Sequence, residues 1–148
     1  MKNLKHSFYT LFTSLILLSC GTSLYDHYSY TQTLETKAAA ISLINVSDQN
    51  FEDHKAAAEA LKSQIDLMTT YERAKSKNEI TVQMWQYLQN DESSLQQFLK
   101  LWQEQGTLSP VFKEEYRPQV EKIFDLMANY ETQKDAQSKS LLLDLITL

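Results

Sequence analysis

An all-α fold follows from three features of this 148-residue chain. Glycine and proline number two each, and neither occurs between Thr22 and Gln105. A sheet protein turns roughly every 8–12 residues and builds its turns largely from those two residues. Alanine, leucine, glutamate, glutamine and lysine recur instead, and all five favour helix. Apolar residues return at steps of three and four, the helical period, rather than alternating. The expectation is a small antiparallel bundle of about five helices.

The elements follow in order. Helix one is predicted from Ser29 to Ile44, with Leu34, Ala38, Ile41 and Leu43-Ile44 as its apolar stripe. Asn45 to Gln49 is a polar break. Helix two carries the longest regular pattern: Phe51, His54, Ala58, Leu61, Ile65 and Met68 step 3-4-3-4-3, a seam suited to packing inside a bundle. Glu52 and Asp53 in its first turn and Arg73, Lys75 and Lys77 near its end complement the helix dipole. After a break at Asn78 to Ile80, helix three is predicted from Thr81 to Gln89, with Met84, Trp85 and Leu88 inward. Asn90-Asp91 separates it from helix four, where Leu95, Phe98, Leu99 and Trp102 share a face. Asp91 is the predicted N-cap and Gly106 the stop. Ser109-Pro110 starts helix five, serine as cap and proline at the first helical position. Its inward residues are Phe112, Tyr116, Val120, Ile123, Met127 and Tyr130, and Pro118 is expected to kink or split it. The chain closes on an apolar run, in which Leu141, Leu142, Leu145 and Leu148 are expected on one face. Folding back onto the bundle is the first expectation, with contact to the membrane or docking in a partner's groove as the alternatives.

The N-terminus has a different character. Lys2 and Lys5 precede a mostly apolar stretch from Phe8 to Leu18, too short for a bilayer, which needs about 20 apolar residues, but suited to a secretory signal. Leu17-Leu18-Ser19-Cys20 resembles the lipobox of bacterial lipoproteins. The resemblance implies that Ser19 is the small residue before the cut, that Cys20 receives a diacylglycerol, and that residues 1–19 are removed. The competing reading is an ordinary signal peptide with an incidental cysteine. With a single cysteine, no disulfide can form within the chain. In the lipoprotein family an aspartate after the cysteine often marks inner-membrane retention. Gly21 stands there, so the resemblance implies the outer membrane, and the lack of an acidic cluster at Gly21 to Tyr25 implies its periplasmic face. Tyr25-Asp26-His27-Tyr28-Ser29-Tyr30-Thr31-Gln32-Thr33, with Gly106-Thr107-Leu108-Ser109-Pro110, resembles a group of small helical bacterial lipoproteins, and that likeness implies no activity. The expected organisation is a signal peptide over 1–19, a lipidated tether over 20–28 and a helical domain over 29–148.

Without Lys2 and Lys5 the chain has 12 basic against 19 acidic side chains, net −7. Such a chain lacks the basic stripe of a nucleic-acid binder, and its acyl chains rather than its charge would hold it on a membrane. His27 and His54 are remote from each other in sequence and form no metal motif. There is no nucleophile elbow or phosphate-cradling glycine loop. The acidic pairs Glu52-Asp53, Asp91-Glu92 and Glu114-Glu115 lie near helix starts, where a structural role outweighs acid–base work. No enzyme, metal or cofactor is therefore expected.

Two aromatic groups remain as candidate contacts. Trp85, Phe98 and Trp102 fit a core first and a ligand pocket second. Tyr25, Tyr28 and Tyr30, close to Cys20, fit a membrane interface, a cap on the bundle or a partner contact equally. The functional expectation is a membrane-anchored periplasmic lipoprotein that binds or scaffolds an envelope protein. The alternative is a lipoprotein that binds a small ligand or lipid in an aromatic pocket.

Overall fold

The computed structural model describes residues 25–146, and over them the chain is helical without strands. Six helices are present among the described residues: α1 (His27–Asn45), α2 (Phe51–Arg73), α3 (Glu79–Gln89), α4 (Ser94–Gln105), α5 (Pro110–Gln133) and α6 (Ala136–Ile146). The predicted all-α bundle is thus the observed architecture. The signal peptide, Ser19 and Cys20 lie outside the described residues, as does the C-terminal Leu148.

Four columns make the bundle, and α1, α2 and α5 are three of them. The fourth is α3 followed by α4. Their 11 and 12 residues together match the 23 of α2, a column about 35 Å long at 1.5 Å per residue. Gln89 at the end of α3 donates to Asp66, about two-thirds of the way along α2, at 2.6 Å, and Trp102 on α4 donates to the Gln49 carbonyl just before α2 begins, at 3.0 Å. After α5, the short α6 turns back and packs on α5 and α3. One end of the bundle, here its base, therefore gathers the starts of α1, α3 and α6 and the ends of α2 and α5.

The far end is closed by backbone bonds between two turns. Phe51 N–H donates to the Gly106 carbonyl and Leu108 N–H to the Ser47 carbonyl, each at 2.7 Å. Gly106 ends α4 with φ of 77°, a conformation that favours glycine. Lys113 and Arg117 of α5 reach the end of α1, at the Asn45 carbonyl and the Asn45 side chain.

The α2 seam is as predicted, with Phe51, Ala58, Leu61, Ile65 and Met68 buried and His54 half-buried. Trp85, Phe98, Trp102 and Phe124 are fully enclosed at the centre of the core. Several expectations need correction. Helix α1 starts at His27, so the expected tether over 20–28 runs into it. Its inward stripe is Ser29, Thr33, Thr36, Ala40, Leu43 and Ile44, while Leu34 and Ala38 face outward. Hydroxyls can line that face because Thr33 and Thr36 donate to carbonyls four residues back, at 2.8 and 2.6 Å, and so bury no unpaired group. Helix α3 begins two residues early, at Glu79. The cap of α4 is Ser93, whose hydroxyl accepts from Gln96 N–H, and Asp91 stays in the loop. Pro118 does not split α5, which runs unbroken over 24 residues. In the tail Leu142 packs inward at 1% exposure, but Leu141 is 47% exposed, so the two do not share the inner face. The side chains of Leu145 and Leu148 lie outside the described residues.

Candidate functional site at the base of the bundle

The base holds the densest polar network among the described residues, built around a carboxylate with no solvent exposure. Glu72 stands in the last turn of α2, one further step along the seam that supplies Ile65 and Met68. Its Oε1 accepts from the Ser29 hydroxyl of α1. Its Oε2 accepts from Lys75 Nζ and from Asn78 Nδ2, each at 2.6 Å. Asn78 also donates to the Glu72 carbonyl at 3.1 Å, which folds the turn between α2 and α3 back on itself.

Lys75 completes the circuit. Its ammonium donates to Glu72, to Asp26 Oδ2 at 2.8 Å and to Ser29 Oγ at 2.7 Å, using all three N–H groups. It also stands 4.7 Å from the centre of the Tyr71 ring, within cation–π range. Asp26 caps α1, accepting from the backbone of Tyr28 and Ser29, and takes the Tyr71 hydroxyl at 2.8 Å. The first turn of α1 is thereby fixed to the end of α2 by three side chains.

Protonation follows this geometry. Partial burial alone would push the Asp26 carboxyl up, but the hydrogen bonds from Lys75 and Tyr71 outweigh it and hold Asp26 far below the usual carboxylate range. Burial likewise opposes the charge on Lys75, and Asp26 and Glu72 reverse that, raising its pKa. The Tyr71 hydroxyl, donated to Asp26, also titrates higher than an ordinary tyrosine. The Ser29–Lys75 contact resembles a serine–lysine catalytic pair in distance only. Such a pair needs a neutral lysine to take the hydroxyl proton, whereas Lys75 is held protonated and Ser29 is 1% exposed. The contacts of this network tie the first turn of α1 to the end of α2 and the turn after it.

A second buried ion pair lies at the same end. Lys134 and Glu131 meet at 2.7 Å with side chains 8% and 2% exposed, and Lys134 also reaches the Thr81 hydroxyl at 3.2 Å. Lys134 ends α5 in the left-handed region at φ of 48°, and Lys77 at φ of 56° shares that feature in the neighbouring turn. Non-glycine residues adopt this backbone at a cost of about 1 kcal/mol or more.

Between the end of α2 and the start of α3 is an open cleft of about 290 Å³ lined by Arg73, Lys75, Asn78, Glu79, Val82 and Gln86 among others. A second cleft, between α1 and α2, has an alanine floor of Ala39, Ala57 and Ala60 under a rim of Gln32, Glu35 and Gln64. A third follows α5 beside Pro118 and Asp125. Trp85, Phe98 and Trp102 line none of these three. Among the described residues no group of three His, Cys, Asp or Glu converges on a metal-sized site, and no helix is long and apolar enough to cross a membrane.

The tyrosines named from sequence come together at the base. Tyr25 and Tyr28 are 51% and 44% exposed, whereas Tyr30 is half-buried. Tyr28 packs edge-on against Tyr71 at 4.9 Å between ring centres, and Tyr25 lies 6.2 Å from Tyr30. The network residues Asp26, Ser29, Tyr71, Glu72, Lys75 and Asn78 were not foreseen as a set. The available signal was the seam itself, which extended past Met68 lands on a glutamate. Compared with known proteins, the chain matches no family model, no curated protein and no solved structure.

Proposed function

We propose that this protein is a lipid-anchored envelope lipoprotein whose helical body binds or scaffolds a partner protein near the outer membrane, on its periplasmic side. The observation that carries the proposal is the lock at the base. Six residues after Cys20 of the lipobox comes Asp26, the cap of α1, which is bonded to Tyr71 of α2 and to Lys75 in the turn after it. The body is thus braced internally at the end nearest the proposed anchor, which suits a module that holds a partner. The acidic surface, net −7 after loss of Lys2 and Lys5, and the structural use of the buried ionisable groups fit binding rather than catalysis.

The test is in-cell crosslinking of the anchored protein with mass spectrometry of the adducts, alongside Cys20→Ala carried by a soluble signal. One envelope protein captured by the anchored form, and lost with Cys20→Ala, is the expected outcome. Persistence of Cys20→Ala in the membrane fraction would remove the lipoprotein assignment.

A further inference from the structure

We infer that the base of the bundle is a membrane-seating face, on which Tyr25 and Tyr28 rest in the phospholipid headgroup layer and hold the body upright. The inference rests on the lipid anchor proposed above and adds an orientation to it. The first argument is reach. Tyr25 is the fifth residue after Cys20, and an extended chain spans at most about 18 Å over those five steps. Whatever path those residues take, the base stays within that distance of the acylated cysteine, whereas the far end of α2 stands about 35 Å away along its axis.

The second argument is what the base exposes. Of the six large hydrophobic side chains exposed among the described residues, Tyr25 and Tyr28 are two, and both sit where the chain enters. Tyrosine, an apolar ring ending in a hydroxyl, is enriched at the headgroup level of membranes. Arg73 at the end of α2 and Lys77 in the turn after it are exposed and supply cations for lipid phosphates, beside the exposed acids Glu79 and Asp135. The third argument is stiffness. Tyr28 is braced by Tyr71, and Asp26 between the two tyrosines is tied to Lys75, so contact at the rings fixes the whole column. The acidic remainder of the body is repelled by an anionic surface, which disfavours lying flat.

The test uses the lipidated protein reconstituted into vesicles of phosphatidylethanolamine and phosphatidylglycerol. Ser76→Cys at the base and Gln105→Cys at the far end, both exposed, each take an environment-sensitive fluorophore, because the Cys20 thiol is acylated. Headgroup-attached quenchers should dim the base probe severalfold more than the far-end probe, and Tyr25→Ser with Tyr28→Ser should abolish most of that difference while the protein still floats with the vesicles. Equal quenching at both ends in protein that floats would overturn the seating and leave the anchor intact. A chain that lacks acyl mass and does not float would overturn the anchor, and the seating with it. Protein adducts at a crosslinker placed on Tyr28 in cells, together with equal quenching in vesicles, would assign the tyrosines to a protein partner and reject the lipid surface.

Discussion

At the scale of single residues, the base is decided by what removal of one charge leaves behind. Glu72 has no solvent exposure, and its Oε2 depends on Lys75 and Asn78. Lys75→Met deletes the cation and strands a buried carboxylate, which costs about 3 kcal/mol or more. Adding Glu72→Gln should recover part of the loss, because the amide keeps the shape without the charge. Urea denaturation of the two variants checks this, and equal stabilities would show that Glu72 does not depend on Lys75. The same cluster sets the response to pH. Asp26 has a depressed pKa in the folded state, so its contribution is complete above the unfolded value near 3.8 and is lost as pH falls below it. Lys75 and Tyr71 have raised values, so theirs is complete below about 10 and lost as pH rises beyond. The contribution of this cluster should therefore be flat between about pH 5 and 9.5 and fall on both sides, with Asp26→Asn removing its share of the acid limb in thermal melts across pH.

Single helices show what sequence reasoning can reach. In α2 and α4 large apolar residues mark the inward face, and Phe51, Leu61, Ile65, Phe98 and Trp102 are where the period puts them. In α1 the inward face is written in Ser29, Thr33 and Thr36, which read as polar because their bonds to carbonyls one turn back are invisible to a hydrophobic pattern. Glu72 and Glu131 escaped notice for the same reason: a charged residue at a core position becomes legible only once its lysine is seen across a turn. Asp91 lost the capping role to Ser93 by two residues, a choice between equally good caps that the tertiary turn makes. Helix α5 carries the clearest local conflict, since Pro118 has no N–H to donate and sits well inside the helix. Two contacts within α5 do span it, Arg117 to Glu121 at 3.0 Å and the Gln119 amide to the Glu115 carbonyl at 3.1 Å. Pro118→Ala should then raise stability by about 2 kcal/mol, since proline costs roughly 3 kcal/mol against alanine inside a helix. A lowered melting temperature would mean that the packing of α5 needs the proline.

For the whole molecule, one core joins all six helices, and its centre holds Trp85, Phe98 and Trp102 with no solvent exposure. Phe98 touches Trp102 at 5.8 Å and Tyr116 at 5.9 Å between ring centres, while Phe51 stands edge-on to Trp102 at 5.3 Å. These rings link α4 to α2 and α5, so none of those three columns can leave without exposing them. A body of this size is expected to unfold in one step, with tryptophan emission and helical circular dichroism reporting the same midpoint. Phe98→Ala should cost about 3–5 kcal/mol through the cavity it leaves, a large share of the roughly 5–15 kcal/mol that holds a domain. The same experiment bears on whether the aromatic centre is ever a pocket. In a closed core, acrylamide quenches the native tryptophans weakly, and added lipids or peptides leave their emission unchanged. If a ligand shifted that emission and raised the melting temperature, and Phe98→Ala abolished both effects, the core would have to open in the native state. The aromatic-pocket alternative would then replace the scaffold proposal.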